Sequence, residues 1–233
     1  MCGICGCSEE VHEHHAHDDH LLHVEQNILA KNQHIALHNK SYLSNKNIVA
    51  FNIMSSPGSG KTTLLAKTIS DLKNELDIAV VVGDQQTNYD AELIKSSGGY
   101  AVQINTGKAC HLDAHTVGHV LEKIPLKEKS ILFIENIGNL VCPALFDLGE
   151  QFKVVILSVT EGDNKPLKYP DMFHCADLIL ITKTDLLPYV DFDLDKCMEY
   201  AHQIKPDIEI LTLSTVKGDG LSHWYSWLKQ HRV

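Results

Sequence analysis

A glycine-rich segment, SSPGSGKTT at residues 55–63, limits the possible folds of this chain more than any other feature. It directly follows NIVAFNIM (47–54), a β-branched apolar run that predicts a strand, and a helical pattern begins at Lys61. The segment matches the phosphate-binding pattern G-x-x-x-x-G-K-[ST], except that Ser55 stands where the first glycine is usual. A strand, a glycine-rich turn and a helix in this order predict a P-loop in an α/β protein.

The residue types of this loop suit a nucleotide bound with Mg²⁺. Glycines allow backbone N–H groups to turn toward phosphate oxygens, and the start of the helix adds a favourable dipole. A lysine at position 61 places a positive charge at the β- and γ-phosphates, and the hydroxyl of Thr62 is suited to Mg²⁺. We predict that six residues bind the phosphates: Gly58, Ser59, Gly60, Lys61, Thr62 and Thr63.

Six further apolar runs predict a sheet that is buried on both faces. Most of them are continuous rather than alternating, which is typical of parallel strands covered by helices on both sides. We therefore predict an α/β fold with three layers, in which helices flank a mostly parallel sheet of about seven strands. The six runs are IAVVVG (78–83), YAVQI (100–104), SILFIEN (130–136), KVVILSV (153–159), DLILIT (177–182) and IEILTL (208–213).

The N-terminal residues 1–23 differ in composition from the rest of the chain. They contain six of the 15 histidines, three of the seven cysteines and five acidic residues, but no Lys or Arg. Because they show no apolar periodicity, we predict a disordered, Cys- and His-rich metal-binding tail. A leading amphipathic helix is predicted for residues 24–45, and one P-loop domain for residues 46–233.

The composition argues against several classes of partner. The net charge of −10 disfavours binding to nucleic acids or anionic membranes. No apolar run approaches the roughly 18 residues of a transmembrane helix, and the N-terminus lacks the basic and apolar regions of a secretory signal. An odd number of cysteines fits a disulfide framework poorly. We expect a cytoplasmic protein with reduced thiols that can bind metal.

Carboxylates at two strand ends are candidates for binding Mg²⁺ or positioning the attacking water. Asp84 follows the second predicted strand and Glu135 ends the fourth, and the carboxyl ends of parallel strands line the ligand crevice. With Lys61 these residues form the predicted catalytic set, and with Thr62 they form the predicted magnesium site. Asp90 is a weaker candidate, because an aspartate there is better explained as a helix cap.

The motif TKTD (182–185) follows the sixth predicted strand and indicates which base is bound. It resembles the N-K-x-D element of GTP-binding proteins, with Thr182 in place of the usual Asn. In that element the aspartate accepts hydrogen bonds from N1–H and the amino group of guanine, and adenine cannot supply this donor pair. We expect Lys183 and Asp185 to bind the base of GTP or GDP, with STVKGDG (214–220) as a second base-side loop.

A cysteine motif at the N-terminus is the first of two candidate metal sites. Cys2, Cys5 and Cys7 form C-x-x-C-G-C, and three thiolates this close in sequence can share one divalent ion. The histidines that follow add imidazoles without fixed geometry. We interpret them as a low-affinity buffer for nickel or zinc.

The second candidate metal site lies inside the domain. Cys110 and His111 are adjacent at the start of a predicted helix, where a helix N-terminus would lower the pKa of the thiol. Cys142 follows Glu135 by seven residues, and its distance from Cys110 cannot be derived from the sequence. Four other side chains are interpreted as surface or packing residues rather than ligands: His115, His119, Cys175 and Cys197.

Together these motifs resemble the nickel-incorporation GTPases of hydrogenase maturation, the HypB family. The resemblance covers nearly the whole chain from Met1, and unrelated P-loop proteins lack both cysteine sets. It is carried by MCGICGC, the histidine-rich insert, EQNILAKN (25–32), SSPGSGKTTLL, VVVGDQQTNYDA, CHLDAH, FIENIGNLVCPA and TKTDLLP.

The resemblance implies a P-loop GTPase domain of the SIMIBI type that forms a homodimer across its nucleotide face when GTP is bound. It implies that Cys110, His111 and Cys142 bind nickel or zinc at that interface, and that the N-terminal cysteine motif binds nickel tightly. The implied function is delivery of nickel during maturation of [NiFe]-hydrogenase. The implied partners are a HypA-type accessory protein, which contains zinc and binds nickel, and the hydrogenase large subunit.

The proximity of Glu135 and Cys142 in sequence suggests how nucleotide and metal are coupled. If the segment between them responds to the γ-phosphate, loss of GTP should rearrange the inner metal site and weaken metal binding. The sequence shows no evident arginine finger, so we expect slow turnover that a partner stimulates.

Three other functions fit parts of the sequence. A urease nickel GTPase typically has a Cys-Pro-His metal motif, whereas no proline separates Cys110 from His111. A small-molecule P-loop kinase needs an acceptor pocket and usually a lid, and the sequence identifies neither. A non-catalytic metal store would depend on residues 2–23, whereas a delivery GTPase would keep its nucleotide turnover without them.

Overall fold

All seven predicted strands form, and they pair in parallel within one sheet. The computed structural model describes residues 10–84 and 88–232, in which helices cover both faces of this sheet. The predicted three-layer α/β architecture is therefore confirmed. The strands are β1 (Val49–Ser55), β2 (Ile78–Asp84), β3 (Tyr100–Asn105), β4 (Ile131–Glu135), β5 (Phe152–Ser158), β6 (Leu178–Thr182) and β7 (Glu209–Thr212).

Helix α1 precedes the sheet, α9 follows it, and the other helices lie between successive strands. Within residues 10–84 and 88–232, none is both long enough and apolar enough to span a membrane. A short 3₁₀ helix, Thr184–Tyr189, follows β6. The α-helices are α1 (Glu10–Asn45), α2 (Lys61–Leu72), α3 (Tyr89–Ser96), α4 (Ala114–Leu121), α5 (Cys142–Leu145), α6 (Lys165–Lys168), α7 (Pro170–His174), α8 (Leu194–Ile204) and α9 (Leu221–Gln230).

The strand order β3-β2-β4-β1-β5-β6-β7 places β1 at the centre of the sheet. Strand β1 pairs with β4 on one side and with β5 on the other. In an open sheet of this kind, ligands bind at the carboxyl ends of the strands where the strand order reverses. Residues 55–63, which follow β1, therefore lie at the ligand-binding edge.

The five inner strands are buried on both faces, which explains why their sequences are continuous apolar runs, whereas the edge strands β3 and β7 are partly exposed. On one face of β1, Phe51 belongs to a core cluster with Leu65 of α2 and Trp224 of α9, all fully buried. The next side chain, Ala50, belongs to a second cluster with Leu43 of α1. The core thus fixes helices on both sides of the strand that leads into the P-loop.

Helix α1 is longer than we expected. It begins at Glu10 rather than Val24, so residues 10–23, which we expected to be disordered, are helical in the structure. Because no Gly or Pro occurs between Glu10 and Asn45, nothing in the sequence interrupts the helix. The division into tail, leading helix and domain stays a prediction. Three predicted metal ligands lie outside the described residues: Cys2, Cys5 and Cys7.

Replacing Leu43 with alanine tests whether α1 is part of the folded core. Leu43 is fully buried, so its truncation should lower the free energy of unfolding by about 2–5 kcal/mol. Urea unfolding followed by circular dichroism measures the change. Leu37→Ala on the same helix is the matched control, because Leu37 is 56% exposed and should shift stability by no more than about 0.5 kcal/mol. Equal stability of the two variants would contradict this docking of α1.

Candidate nucleotide and metal sites

The segment after β1 folds into a tight loop that ends at the start of α2. Gly58 and Gly60 adopt φ angles of +74° and +98°, which side-chain-bearing residues rarely adopt. Lys61 is the first residue of α2, so the N-terminus of the helix forms one side of the loop. This is the geometry in which backbone N–H groups and a helix dipole bind phosphate.

Ser55, which replaces the usual first glycine, organises the loop. It is fully buried, and its hydroxyl oxygen accepts hydrogen bonds from Nζ of Lys61 (2.8 Å) and Oγ of Ser59 (2.6 Å). The same hydroxyl donates to the carbonyl oxygen of Ser56 (2.6 Å). Burial lowers the pKa of Lys61, and the charge of Glu135 opposes that effect. The serine therefore holds the lysine in place without breaking the loop.

Glu135 lies beside the P-loop at the end of β4. Its Oε1 accepts a 2.6 Å hydrogen bond from Oγ1 of Thr62, while its buried Oε2 has no hydrogen-bond partner among residues 10–84 and 88–232. Burial raises the pKa of Glu135 to about 7, against the lowering effects of Thr62 and Lys61. An unpartnered buried carboxylate oxygen is costly, and a hard divalent cation would satisfy it. Thr62 and Glu135 thus fit a magnesium site.

The predicted catalytic residues share one cavity of about 480 Å³ at the carboxyl edge of the sheet. Asp90 also lines this cavity. It lies in the first turn of α3, whose cap residue is Asn88, so our preferred explanation of Asp90 as a helix cap was wrong. The lining includes these predicted phosphate and magnesium ligands: Gly58, Gly60, Lys61, Thr62, Thr63, Asp84 and Glu135.

The TKTD element contacts the P-loop directly. Oγ1 of Thr182 donates a 2.9 Å hydrogen bond to the carbonyl oxygen of Ser59, so the threonine that replaces the usual asparagine still braces the loop. Lys183 has a φ of +60°, and its Nζ donates to the carbonyl oxygen of Gly58 (2.7 Å). The element is therefore held against the phosphate-binding residues.

Asp185 is joined to the second predicted base-side loop. Its Oδ1 accepts a 2.6 Å hydrogen bond from Oγ of Ser214, and that hydroxyl oxygen accepts from the backbone N–H of Lys217 (3.1 Å). The loop at 214–220 and the TKTD element thus form one unit. The carboxylate of Asp185 is therefore held in place by the loop at 214–220.

Three side chains from two connections, β3–β4 for Cys110 and His111 and β4–β5 for Cys142, come together as a candidate metal centre. The Sγ atoms of Cys110 and Cys142 lie 3.1 Å apart, and Sγ of Cys110 lies 3.5 Å from Nδ1 of His111. One ligand atom from each residue lies within 4.8 Å of the others. Nickel and zinc both accept thiolate and imidazole ligands, at about 2.3 Å for zinc–sulfur and 2.0–2.1 Å for zinc–nitrogen. The three residues therefore fit one ion.

The surroundings of Cys110 differ from the sequence prediction. Helix α4 begins at Ala114 and is capped by Asp113, so Cys110 precedes the helix instead of starting it. The neighbouring thiol of Cys142 raises the pKa of Cys110, whereas we expected a helix N-terminus to lower it. Burial lowers the pKa of His111, so its imidazole is neutral at pH 7 and available as a ligand.

Two asparagines that the sequence analysis missed connect β4 to the metal centre. Asn136 is buried, and its Oδ1 accepts a 3.1 Å hydrogen bond from the backbone N–H of Leu112. Nδ2 of Asn139 donates to the carbonyl oxygen of Cys110 (3.2 Å). The one available signal was their position directly after a buried strand. A third link is steric, because a Cβ at Gly138 would lie 2.8 Å from Cα of Pro57 in the P-loop.

The four histidines and cysteines that we interpreted as surface or packing residues are not part of this group of three. His115 and His119 are exposed on α4, with their Nε2 atoms 3.2 Å apart. Cys197 is buried in α8, and Cys175 is half-buried directly after α7.

A parallel sheet with a P-loop after its central strand, and a TKTD element packed against that loop, defines a nucleotide-binding protein of the P-loop GTPase class. A family model described as "CobW/HypB/UreG, nucleotide-binding domain" matches residues 49–212. The chain belongs to the HypB family of hydrogenase maturation GTPases.

Individual relatives agree with this assignment. The chain is 54% identical over 212 residues to "Hydrogenase maturation factor HypB" of Azotobacter vinelandii, covering 91% of this chain and 70% of the relative. It is 41% identical to the solved HypB structure from Archaeoglobus fulgidus, with a TM-score of 0.81 over 86% of this chain and 98% of that one. The HypB structure from Helicobacter pylori "in complex with nickel" is 39% identical, with a TM-score of 0.82 over 86% and 94%. The family resemblance and the GTPase fold are thus confirmed.

Metal binding at the inner centre should release protons. Thiols bind metal as thiolates, and the raised pKa of Cys110 keeps that thiol protonated at neutral pH, whereas His111 is already neutral. The affinity for zinc should therefore rise by about tenfold per pH unit for each displaced proton near pH 7. Competition titrations at several pH values measure this, in a full-length chain with Cys2, Cys5 and Cys7 changed to serine. Cys110→Ala should remove one proton from the dependence. An affinity that does not change with pH would contradict thiolate binding.

Proposed function

We propose that this chain is a GTP-hydrolysing nickel metallochaperone that delivers nickel during maturation of [NiFe]-hydrogenase. The observation that carries the proposal is the short segment 135–142, which begins with Glu135 at the P-loop and ends with Cys142 at the metal centre. A protein that only stored metal would not need a nucleotide site joined to its ligands in this way. Relatives named hydrogenase maturation factors, and one solved with nickel, support the choice of metal and target.

The nucleotide site supplies binding and charge stabilisation in this proposal. The P-loop backbone and Lys61 bind the phosphates, and Asp185 selects guanine. Thr62, Asp84 and Glu135 would hold Mg²⁺, which neutralises charge that develops on the phosphates during transfer to water. A cation at this place would also favour the ionised form of Glu135 over the protonated form that burial stabilises.

Hydrolysis is proposed to be slow until a partner stimulates it. Fast GTP hydrolysis usually requires an arginine that stabilises the transition-state charge. Arg232 is the one arginine of the sequence, and it does not line the nucleotide cavity. A second protein is therefore the expected source of stimulation.

We further propose that the GTP-bound chain forms a homodimer with the Cys110–His111–Cys142 centre at its interface. Three ligands leave a tetrahedral ion one ligand short, and a second chain can supply it. Val141 and Leu145, on either side of Cys142, are 56% and 55% exposed. Apolar side chains exposed beside an accessible metal centre are typical of a contact surface.

The proposed partners are a HypA-type accessory protein, which contains zinc and binds nickel, and the hydrogenase large subunit, and the proposed location is the cytoplasm. The N-terminal motif formed by Cys2, Cys5 and Cys7 is proposed to collect nickel. The inner centre is proposed to hold nickel or zinc in a nucleotide-dependent way. Neither a nucleic acid nor a membrane has a part in this scheme.

Loss of the γ-phosphate is proposed to weaken metal binding through the segment 135–142. A shift of Glu135 or Gly138 would pull on Asn136 and Asn139, whose hydrogen bonds hold the loop that carries Cys110. Because both thiols must reach one ion, even a small displacement of that loop lowers affinity. Such movement of a short segment is a common response of GTPases to hydrolysis.

Asp185→Asn tests the choice of nucleotide. The amide loses the acceptor for the second guanine donor, so GTP affinity should fall by about 100-fold or more, while ATP affinity stays low. Equilibrium binding of fluorescent GTP and ATP analogues gives both values. Asp191→Asn is the matched control, because Asp191 is exposed on the same loop region. A GTP preference that survives Asp185→Asn would overturn the base-site assignment.

Cys142→Ala tests the metal centre and its link to the dimer. With a non-hydrolysable GTP analogue, the wild-type chain should bind metal at the inner centre and run as a dimer, whereas with GDP both should decline. Cys142→Ala should lose inner-site metal under both nucleotides. Metal analysis and mass measurement in solution report the two quantities. Cys175→Ala, which removes a half-buried thiol away from the centre, is the control. If Cys142→Ala changed neither metal content nor mass, the assignment would be wrong.

A further inference from the structure

Helix α1 reaches the surroundings of the inner metal centre through two buried asparagines. Asn32 and Asn39 are only 7% and 4% exposed. Nδ2 of Asn39 donates to the carbonyl oxygens of Ala114 (2.8 Å) and Leu148 (3.0 Å). Nδ2 of Asn32 donates to the carbonyl oxygen of Asp147 (2.7 Å), and its Oδ1 accepts from the backbone N–H of Ala114 (2.8 Å). Polar side chains rarely occupy buried helix positions unless they are bonded in this way.

Each asparagine bonds to both of the segments that carry metal ligands. Ala114 closely follows Cys110 and His111, on the connection between β3 and β4. Asp147 and Leu148 closely follow Cys142, on the connection between β4 and β5. Helix α1 is therefore a common anchor for the two connections that carry the proposed metal ligands.

The packing around Asn39 leaves it little freedom to move. A Cβ at Gly118 of α4 would lie 2.7 Å from Oδ1 of Asn39, and a Cβ at Gly149 would lie 2.5 Å from its Cβ. Both connections thus approach α1 closely at positions without side chains. Breaking a buried hydrogen bond leaves its partner unsatisfied and is costly, so the two connections are held in one arrangement.

We propose that Asn32 and Asn39 are positioning residues for the inner metal centre. They hold the Cys110–His111 connection and the Cys142 connection at the separation that lets both thiols bind one ion. The proposal rests on the proposed metal centre and adds α1 to it as the element that sets its geometry. Metal–ligand distances in such sites tolerate deviations of only about 0.2 Å, so a modest shift of either connection weakens binding.

The test uses Asn32→Ala and Asn39→Ala in a full-length chain whose Cys2, Cys5 and Cys7 are changed to serine. Co²⁺ is the probe, because thiolate coordination gives it a distinct charge-transfer absorption. Each variant should bind Co²⁺ about 10- to 100-fold more weakly than its parent, the loss usual when a group that orients metal ligands is removed. Asn27→Ala is the matched control, because Asn27 is exposed on the same helix, and it should bind like the parent.

Asn32→Asp removes the hydrogen bond to one connection and keeps the hydrogen bond to the other. The carboxylate keeps an acceptor for the N–H of Ala114 but loses the donor to the carbonyl oxygen of Asp147, with nearly unchanged volume. It should therefore weaken Co²⁺ binding while leaving the β3–β4 connection attached. This variant decides the question if an alanine variant does not fold, and thermal unfolding by circular dichroism shows that each variant is folded at the temperature of the titration.

The rate of disulfide formation in the absence of metal reports the distance between the thiols of Cys110 and Cys142. With diamide as oxidant, the thiols of Cys110 and Cys142 lose two electrons and two protons to it and form a disulfide. The rate depends on how often the two sulfurs meet, and they lie 3.1 Å apart in the parent structure. The rate should fall several-fold in the Asn32 and Asn39 variants and stay unchanged in Asn27→Ala.

The outcomes separate this inference from the proposed function. If the variants only lower the melting temperature and leave Co²⁺ affinity and disulfide rate unchanged, the asparagines are structural and the inference is overturned. Cys142→Ala is measured in parallel. If it also leaves Co²⁺ affinity unchanged, the proposed metal centre itself fails, whereas a loss in Cys142→Ala alone overturns only the role of α1.

Discussion

The parallel pairing of β1 with β4 is the constraint on which both sites depend. Its register aligns Ile53 with Glu135, so the two strands end side by side where the P-loop begins. Glu135 can then accept the hydrogen bond from Thr62, and the chain that leaves β4 must pass the P-loop before it reaches Cys142. A slip of one residue would turn the Glu135 side chain to the opposite face of the sheet. The position of the candidate metal centre therefore follows from the register of two buried strands.

Burial of Glu135 makes this junction sensitive to charge. With a pKa of about 7, its carboxyl group changes between neutral and ionised forms when nearby positive charge changes modestly. The next residue, Asn136, is bonded to Leu112, which adjoins His111. A change of charge or contact at the phosphates thus has a path of one residue and one hydrogen bond to the segment that carries His111 of the candidate metal centre. This short path explains how two sites of different chemistry can share one segment.

The sequence predicted those features whose signal is local. All seven strands and the P-loop were found because continuous apolar runs and glycine spacing depend on near neighbours. The start of α1 was missed, because the acidic, histidine-rich composition of residues 10–23 was given more weight than their lack of helix breakers. The predicted lowering of the Cys110 pKa was wrong. The pKa is raised because of the thiol of Cys142, which only the tertiary fold brings near. Asn136 and Asn139 were missed for the same reason: their partners lie on another connection.

The two departures from the usual motifs meet at one residue. Ser55 replaces a glycine of the P-loop, and Thr182 replaces the asparagine of the base element, so each motif taken alone predicts a weakened loop. In the folded chain, the hydroxyl of Ser55 accepts from Oγ of Ser59, and the hydroxyl of Thr182 donates to the carbonyl oxygen of the same Ser59. Both contacts are buried, where a hydrogen bond that is made is strong and one that is lost is costly. Ser55 and Thr182 therefore both bond to Ser59, and through it they connect the phosphate loop to the base loop.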